Sequence, residues 1–359
     1  MRIVQIIPSI EFGGAEIMCE NLASEQAKMG HEVCVVSLYD TQNEITNRLS
    51  RIVPIYYMNK ARGLDFKLIG KLRKVFREFK PDAIHSHLYA TKYAFLASLG
   101  MKVKRVHTLH SVAKQESSTA NRILNRLLYK AKLVLPVALS EEVQKTVVDL
   151  YRIDKTQVPV VFNGVPLEKC ILKSDYEIGS AINVINVARF NEVKNHIEMV
   201  DGFVKAQKIF PQLRLTFVGN GALFEKVKAY AAEKGVSSNI DFYGSTDNVY
   251  PLLHSADIFL LASLYEGMPM SIIEAMGTGL PIIASNVGGI PDMIENGMSG
   301  LLCEPNSESI SRVLCQMIQD VVLREKCGKN AVVTAHTKFS ARSMAEEYIV
   351  LYTREKGRS

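Results

Sequence analysis

The sequence predicts an α/β protein made of two doubly wound parallel-sheet domains, and three observations carry that expectation. The chain has 359 residues, more than one compact core of ordinary size holds, since domains run to roughly 100–200 residues. Short continuous apolar runs alternate with amphipathic stretches in both halves, which is the pattern of strands buried on both faces beneath crossover helices. Between the halves, NGVPLEKCILKSDYEIGS (163–180) has turn signals and no period, so it reads as the interdomain linker. The boundaries that follow are 1–165 for the first domain, 166–340 for the second, and a closing element over 341–359 whose helix, about 341–356, would cross back to the first domain.

RIVQII (2–7) is an apolar strand; a loop runs to Gly14; Ala15, Met18, Leu22 and Met29 then recur on one side of a helix that stops at Gly30. EVCVVSL (32–38) is the next strand, and further strands are predicted at 53–57, 83–86, 104–108, 133–137 and 158–161. Past the linker the alternation restarts with INVINVA (182–188), LRLTFVG (213–219), IDFYG (240–244), DIFLLAS (257–263) and PIIAS (281–285).

Composition excludes several classes. With 47% hydrophobic and 22% charged residues and no low-complexity tract, the chain is neither fibrous nor disordered. The apolar run in MRIVQIIPSIEF is broken by Gln5 and Pro8, too short for a signal-peptide core, and no stretch reaches the ~20 apolar residues of a membrane span. Six cysteines are scattered without CxxC spacing, which indicates neither a disulfide framework nor a zinc knuckle; a cytoplasmic location is the expectation. The net charge of +6 is unevenly placed, +9 over 1–165 and −3 over 166–359. Much of the basicity lies in KARGLDFKLIGKLRKVFREFK (60–80), where Phe66, Ile69, Leu72, Phe76 and Phe79 recur at helical spacing. Such a helix either packs its stripe on a sheet or lies on an anionic membrane surface, at the inner face of the cell membrane if the location is cytoplasmic. No aromatic-interleaved basic patch accompanies it, so nucleic acid is not an expected partner.

In open parallel sheets ligands sit beyond the carboxyl ends of the strands, which directs attention to the loops that follow them. SIEFGGAE follows the first strand: Gly13 and Gly14 would let backbone approach a ligand, although a tight turn would also use them. It is not a dinucleotide fingerprint, because G-x-G-x-x-G is missing, nor a P-loop, because the G-K-[ST] is missing. In RFNEVKNH, Arg189 and Lys194 precede a helix; a guanidinium fork and an ammonium together suit a diphosphate and the charge that grows on it as it leaves. In LYEGMPMSIIEA, Glu266 and Glu274 flank a helix entrance, where carboxylates would accept hydrogen bonds from sugar hydroxyls. Ser271 and Glu274 also have the S-x-x-E spacing of a capping box, which would account for Glu274 but not for Glu266. His85 and His87 would share a strand face, and His107 and His110 follow in HTLHS, but no third residue with metal-ligand spacing completes a zinc site.

Together these stretches resemble one family. EGMPMSIIEA is similar to the E-x7-E element of retaining glycosyltransferases with the GT-B fold, family 4 in particular, and of the group 1 type that builds bacterial polysaccharides. FGGAE, HTLHS, FNGV and ARFNEVKNH occur in that family's order across nearly the whole chain. The resemblance implies two Rossmann-like domains facing across a cleft, with a nucleotide-sugar donor bound mainly to the second.

Residue by residue, it implies catalytic roles at the donor sugar for His110 and Glu266, diphosphate contacts from Arg189 and Lys194, ribose contacts from Glu274, and a close backbone approach at Gly14. Gly267, Met268 and Met270 would border the donor, and Gly219, Gly244 and Ser245 the nucleoside. The family's linker motif is matched at Asn163 and Gly164, where a hinge turn is explanation enough. The implied reaction is retaining, hexosyltransferase-type transfer from a UDP- or GDP-sugar to a glycan or lipid-linked acceptor in cell-surface polysaccharide synthesis. No cofactor and no divalent metal are expected: the chain has no D-x-D. Rivals are a nucleotide-sugar epimerase of the same architecture and an inactive homologue serving as a binding or assembly subunit; a dehydrogenase is disfavoured by the missing glycine fingerprint.

Overall fold

A computed structural model describes residues 1–354 except 12, 62, 64 and 117. The chain runs β1 (Arg2–Ile7), α1 (Gly14–Lys28), β2 (Glu32–Ser37), α2 (Glu44–Ser50), β3 (Ile55–Tyr57), α3 (Phe66–Phe79), β4 (Ala83–His87), α4 (Thr91–Ala97), β5 (Lys104–Leu109), α5 (Ala113–Glu116), α6 (Thr119–Lys130), β6 (Leu135–Ala138) and α7 (Glu141–Tyr151). It continues with β7 (Ile182–Val187), α8 (His196–Gln207), β8 (Leu213–Val218), α9 (Phe224–Glu233), β9 (Ile240–Gly244), α10 (Tyr250–Ser255), β10 (Ile258–Leu261), α11 (Met270–Thr278), β11 (Ile282–Ser285), α12 (Ile290–Met293), β12 (Leu301–Cys303), α13 (Ser307–Gln319), α14 (Val321–Lys338) and α15 (Ala341–Thr353).

Two compact units result. Met1–Val165 and the segment starting at Ser340 form one; Pro166–Phe339 forms the other. In the first, the six strands lie parallel in the order β3-β2-β1-β4-β5-β6; in the second, β12-β11-β10-β7-β8-β9. Both are the doubly wound order in which the winding direction reverses once, between β1 and β4 and between β7 and β10. The connections that leave the two neighbouring strands there run to opposite faces of the sheet, which opens a crevice at their carboxyl edge.

Each sheet is closed by apolar faces of its helices. In the first unit Leu68, Leu72 and Phe76 of α3 pack with Val4, Val36 and Ile84 of the strands. In the second, Met199 and Phe203 of α8 and Ile310 and Leu314 of α13 cover Val184, Leu215 and Leu260. The helix of the basic stretch, α3, is therefore mainly a packing helix. Asp65 caps it by accepting from the Leu68 amide (3.1 Å), Arg73 bonds the Ala97 and Leu99 carbonyls, and Phe66 stays 77% exposed. Two large aliphatic residues stand out on α6 instead: Ile123 and Leu127, one turn apart, are each 62% exposed beside Arg122 and Arg126.

Two local expectations need correction, and one strand was not anticipated. Residues 158–161 form no strand: Val160 meets Ala138 in a single bridge, next to Pro159, which has no amide hydrogen to extend a ladder. β12 is only three residues long and gives no readable alternation. The capping box does not form, because α11 begins at Met270 with Pro269 as its cap and no side-chain cap bond; Ser271 is already the second helical residue. No helix among the described residues is long and apolar enough to cross a membrane.

Candidate active site

At the β7/β10 reversal two loops are bound to each other. The loop after β7 turns through a 3-10 segment, Glu192–Lys194, in which Asn191 accepts from the Lys194 amide (3.1 Å). Asn195 then takes a left-handed φ of +59° and donates its side-chain amide to Ala262 O (3.1 Å) and Pro305 O (3.0 Å). From the loop after β10, the Leu264 amide donates to Val193 O at 2.7 Å. These bonds fix Lys194 and Glu266 together: Lys194 Nζ lies 2.5 Å from Glu266 Oε1, and the Ser263 hydroxyl donates to the same oxygen at 2.5 Å. Ser263 is in turn held through its carbonyl by the Ser285 hydroxyl, 2.7 Å away at the end of β11.

Glu266 is 7% exposed, so its carboxylate is mostly desolvated and depends on these donors. Its backbone is pinned as well: Gly289 N donates to Glu266 O at 3.0 Å, and Gly288 has a φ of +55°, where a Cβ would overlap that same carbonyl oxygen. Ser263, Ser285 and the Gly288–Gly289 pair were not legible as site residues. The glycine pair after β11 was the available signal, since paired glycines at a strand end mark a close backbone approach.

Arg189 is exposed in the loop after β7. The loop's course is set by the segment after β8: Phe190 N donates to Asn220 O (3.0 Å) and Leu223 N to Phe190 O (3.1 Å). Gly219 and Gly221, with φ of +137° and +157°, lie where a Cβ would overlap the Ala188 and Phe190 carbonyls. Gly219 thus has a packing duty, and its amide also donates to Gly244 O (2.8 Å), beside the exposed Ser245. Gly267, Met268 and Met270 are buried at the entrance of α11, where the first amides of a helix have no intrahelical acceptor.

Glu274 is the fifth residue of α11 and half-buried; none of the bonds that join Lys194, Ser263 and Glu266 includes it. Burial raises its carboxyl to about 7, and only Lys169 opposes that shift.

In the first unit, α1 starts at the exposed Gly14, with Gly13 as an extended N-cap. His110 follows β5; its amide and that of Ser111 donate to Glu116 Oε2 at 3.2 and 3.1 Å. Its Nε2 lies 3.1 Å from His87 Nδ1, and burial lowers its pKa to about 3, so the ring is neutral at pH 7. The ring nitrogens of His85, His87 and His107 are all engaged by protein partners, and no group of three ligand-type side chains among the described residues could hold a metal.

Two doubly wound parallel-sheet units in one chain are the architecture of the GT-B class of glycosyltransferases. Two family models match consecutive parts of the chain: Glycosyltransferase Family 4 over residues 12–169 and Glycosyl transferases group 1 over 174–333. The chain belongs to this glycosyltransferase family. It is 25% identical to the N-acetyl-alpha-D-glucosaminyl L-malate synthase of Bacillus anthracis, over 96% of this chain and 94% of that protein. It is 28% identical to the UDP-Gal:alpha-D-GlcNAc-diphosphoundecaprenol alpha-1,3-galactosyltransferase of Escherichia coli, over 76% and 75% of the two chains. Among solved structures, Anabaena Alr3699/HepE in complex with UDP-glucose superimposes with a TM-score of 0.82 at 20% identity, covering 97% and 98% of the chains, and so shares the fold.

Proposed function

We propose that the chain transfers a hexose from a UDP- or GDP-sugar to a glycan or lipid-linked acceptor with retention, without a cofactor or divalent metal, in cell-surface polysaccharide synthesis. The observation that carries this reading is the Lys194–Glu266–Ser263 cluster at the β7/β10 reversal, where an ammonium and a carboxylate are held within one bond of each other. Arg189 and Lys194 hold the diphosphate, Glu266 accepts from hydroxyls of the sugar, and Glu274 from those of the ribose. The amides at Gly267, Met268 and Met270 point at the phosphate end, Gly14 approaches it by backbone, and Gly219, Gly244 and Ser245 border the base. His110 contacts the sugar.

In the step itself the bond from the anomeric carbon to the diphosphate oxygen breaks, and its electron pair leaves with the diphosphate. The acceptor hydroxyl attacks from the same face and passes its proton to the departing phosphate oxygen, so no side-chain base is needed. Arg189, Lys194 and the α11 amides stabilise the growing negative charge, which is what a metal would otherwise do. The absence of a D-x-D sequence supports that division of labour.

The names of two relatives support the substrate class: the Escherichia coli relative is named for UDP-Gal and a diphosphoundecaprenol acceptor, and the HepE structure contains UDP-glucose. The basic first unit would then lie against an anionic membrane, at the cytoplasmic face where nucleotide sugars are found. A panel of UDP-, GDP- and ADP-sugars tests the donor by thermal stabilisation, which rises with the logarithm of ligand concentration over Kd. Transfer in the presence of a chelator, followed by NMR of the product's anomeric configuration, tests the rest. Inversion, or loss of turnover with the chelator, overturns the mechanism; interconversion of the donor sugar without acceptor would favour the epimerase.

A further inference from the structure

His110 does not stand alone at its sheet edge but ends a chain of buried polar groups that crosses the first unit to its C-terminal helix. His87 Nδ1 meets His110 Nε2 at 3.1 Å, and His87 Nε2 meets the side-chain oxygen of Gln5 on β1 at 3.0 Å. The Gln5 side-chain amide donates to Gln26 Oε1 on α1 (2.9 Å) and to the hydroxyl of Tyr352 on α15 (3.4 Å), and Gln26 Nε2 also donates to that hydroxyl (3.3 Å). Tyr352 OH reaches His85 Nδ1 at 2.7 Å; His85 Nε2 reaches Thr108 Oγ1 at 2.7 Å; Tyr348 OH closes the chain at 2.6 Å. Gln5, Gln26, His85, His87, Thr108 and Tyr348 are each 0% exposed.

A neutral imidazole has one donor and one acceptor nitrogen, so a single fixed partner decides both. The Gln5 carbonyl oxygen can only accept. His87 therefore carries its proton on Nε2 and offers the Nδ1 lone pair. That lone pair requires the proton of His110 on Nε2, which leaves His110 Nδ1 as an acceptor. Reversing the Gln5 amide would reverse both histidines, and Gln26 and Tyr352 are what hold it in place. Among the described residues, no side chain of this relay bonds to a charged group, so none competes for its direction.

We propose that Gln5 and Tyr352 are positioning residues for sugar transfer: through His87 they hold His110 in the tautomer whose Nδ1 accepts a hydroxyl hydrogen of the transferred sugar. This rests on the assignment of His110 to that sugar. It also gives the crossing of α15 onto the first unit a purpose beyond closing the sheet.

The test uses full-length protein labelled with 15N-histidine, with the tautomers of His87 and His110 read from their ring nitrogen shifts. Wild type is expected to show both as the Nε2–H form. Gln5→Leu and the milder Tyr352→Phe are expected to give mixed tautomers at His110. In both variants kcat is expected to fall, by roughly tenfold to a hundredfold for Gln5→Leu, by analogy with metal-bound histidines that lose the partner orienting them, with donor KM little changed. An Nδ1–H form of His110 in wild type, unchanged tautomers in both variants, or changed tautomers with unchanged kcat would each overturn the proposal. His110→Ala separates the two levels: full turnover there removes the role of His110 in transfer, whereas the tautomer measurement stands on its own.

Discussion

Lys194 and Glu266, 72 positions apart in sequence, meet at 2.5 Å where the second sheet reverses its winding, with Ser263 sharing the same carboxylate oxygen. The lysine side chain is 20% exposed and the glutamate side chain 9%, so neither is a solvated surface charge. Lys194 and Glu266 pair with each other; on the proposed assignment a bound diphosphate would give the ammonium a second anion, and sugar hydroxyls would give the carboxylate new donors. Glu266→Ala and Lys194→Ala are each expected to lower transfer at least a hundredfold. Lys194→Ala should also destabilise the fold by about 1–3 kcal/mol, below the figure for a fully buried pair because water reaches this one. Steady-state kinetics and denaturant unfolding measure the two effects, and wild-type turnover in both variants would remove the site assignment.

The carboxyl of Glu274 supplies a pH signature. Burial raises it from an ordinary 4.5 to about 7, so between those values the folded chain binds a proton the unfolded chain has lost. Stability contributed by this group is therefore complete below about pH 4.5 and falls as pH rises to about 7. Glu116 has the same sign and also lies at about 7, whereas His110, lowered to about 3, makes stability rise with pH between about 3 and 6.5. The difference between wild type and Glu274→Gln removes those shared contributions. Glu274→Gln should be the more stable above pH 7, with the advantage fading towards pH 4.5; a pH-independent difference would show that Glu274 is not desolvated as described. The same variant should raise donor KM, since an amide offers one acceptor oxygen to ribose hydroxyls instead of two.

What was legible in the chain follows from where the physics is local. Strand–helix alternation, the linker near Val165, and the loops bearing Arg189, Lys194, Glu266 and His110 are written in contiguous residues. The S-x-x-E pattern at Ser271 misled because Pro269 starts α11 two residues earlier than a serine cap would, and spacing alone cannot show which residue takes the extended φ. Ser263 and Ser285 escaped notice because a lone serine at a strand end has no pattern; their role exists only once β10 and β11 lie side by side. The relay from His110 to Tyr352 was hidden for the same reason, since it joins a loop residue to residues from four separate elements, β4, β1, α1 and α15.

The membrane expectation now has a more specific surface. α3 spends Leu68, Leu72 and Phe76 on the core, while α6 exposes Ile123 and Leu127 beside Arg122 and Arg126 and contains no acidic residue. Anionic vesicles at low salt should sediment the protein, and about 0.5 M salt should release most of it as surface charges are screened. Ile123→Ser with Leu127→Ser should weaken binding without changing transfer to a water-soluble acceptor. Equal sedimentation with neutral and anionic vesicles, or none with either, would rule out the electrostatic surface.

Gly288 tests whether the backbone behind Glu266 must be where it is. Its φ of +55° already disfavours any side chain, and a Cβ would overlap Glu266 O, so alanine cannot be placed without moving one loop against the other. The strain alone costs about 1–3 kcal/mol. If the loop gives way, Gly289 N loses its 3.0 Å bond to Glu266 O and the carboxylate shifts from Lys194. Gly288→Ala is therefore expected to lower both unfolding stability and kcat, whereas Gly297→Ala, at φ +74° with open space around its Cβ position, should lower stability alone. Equal losses of kcat in the two variants would mean that strain in general, and not the position of Glu266, sets the activity.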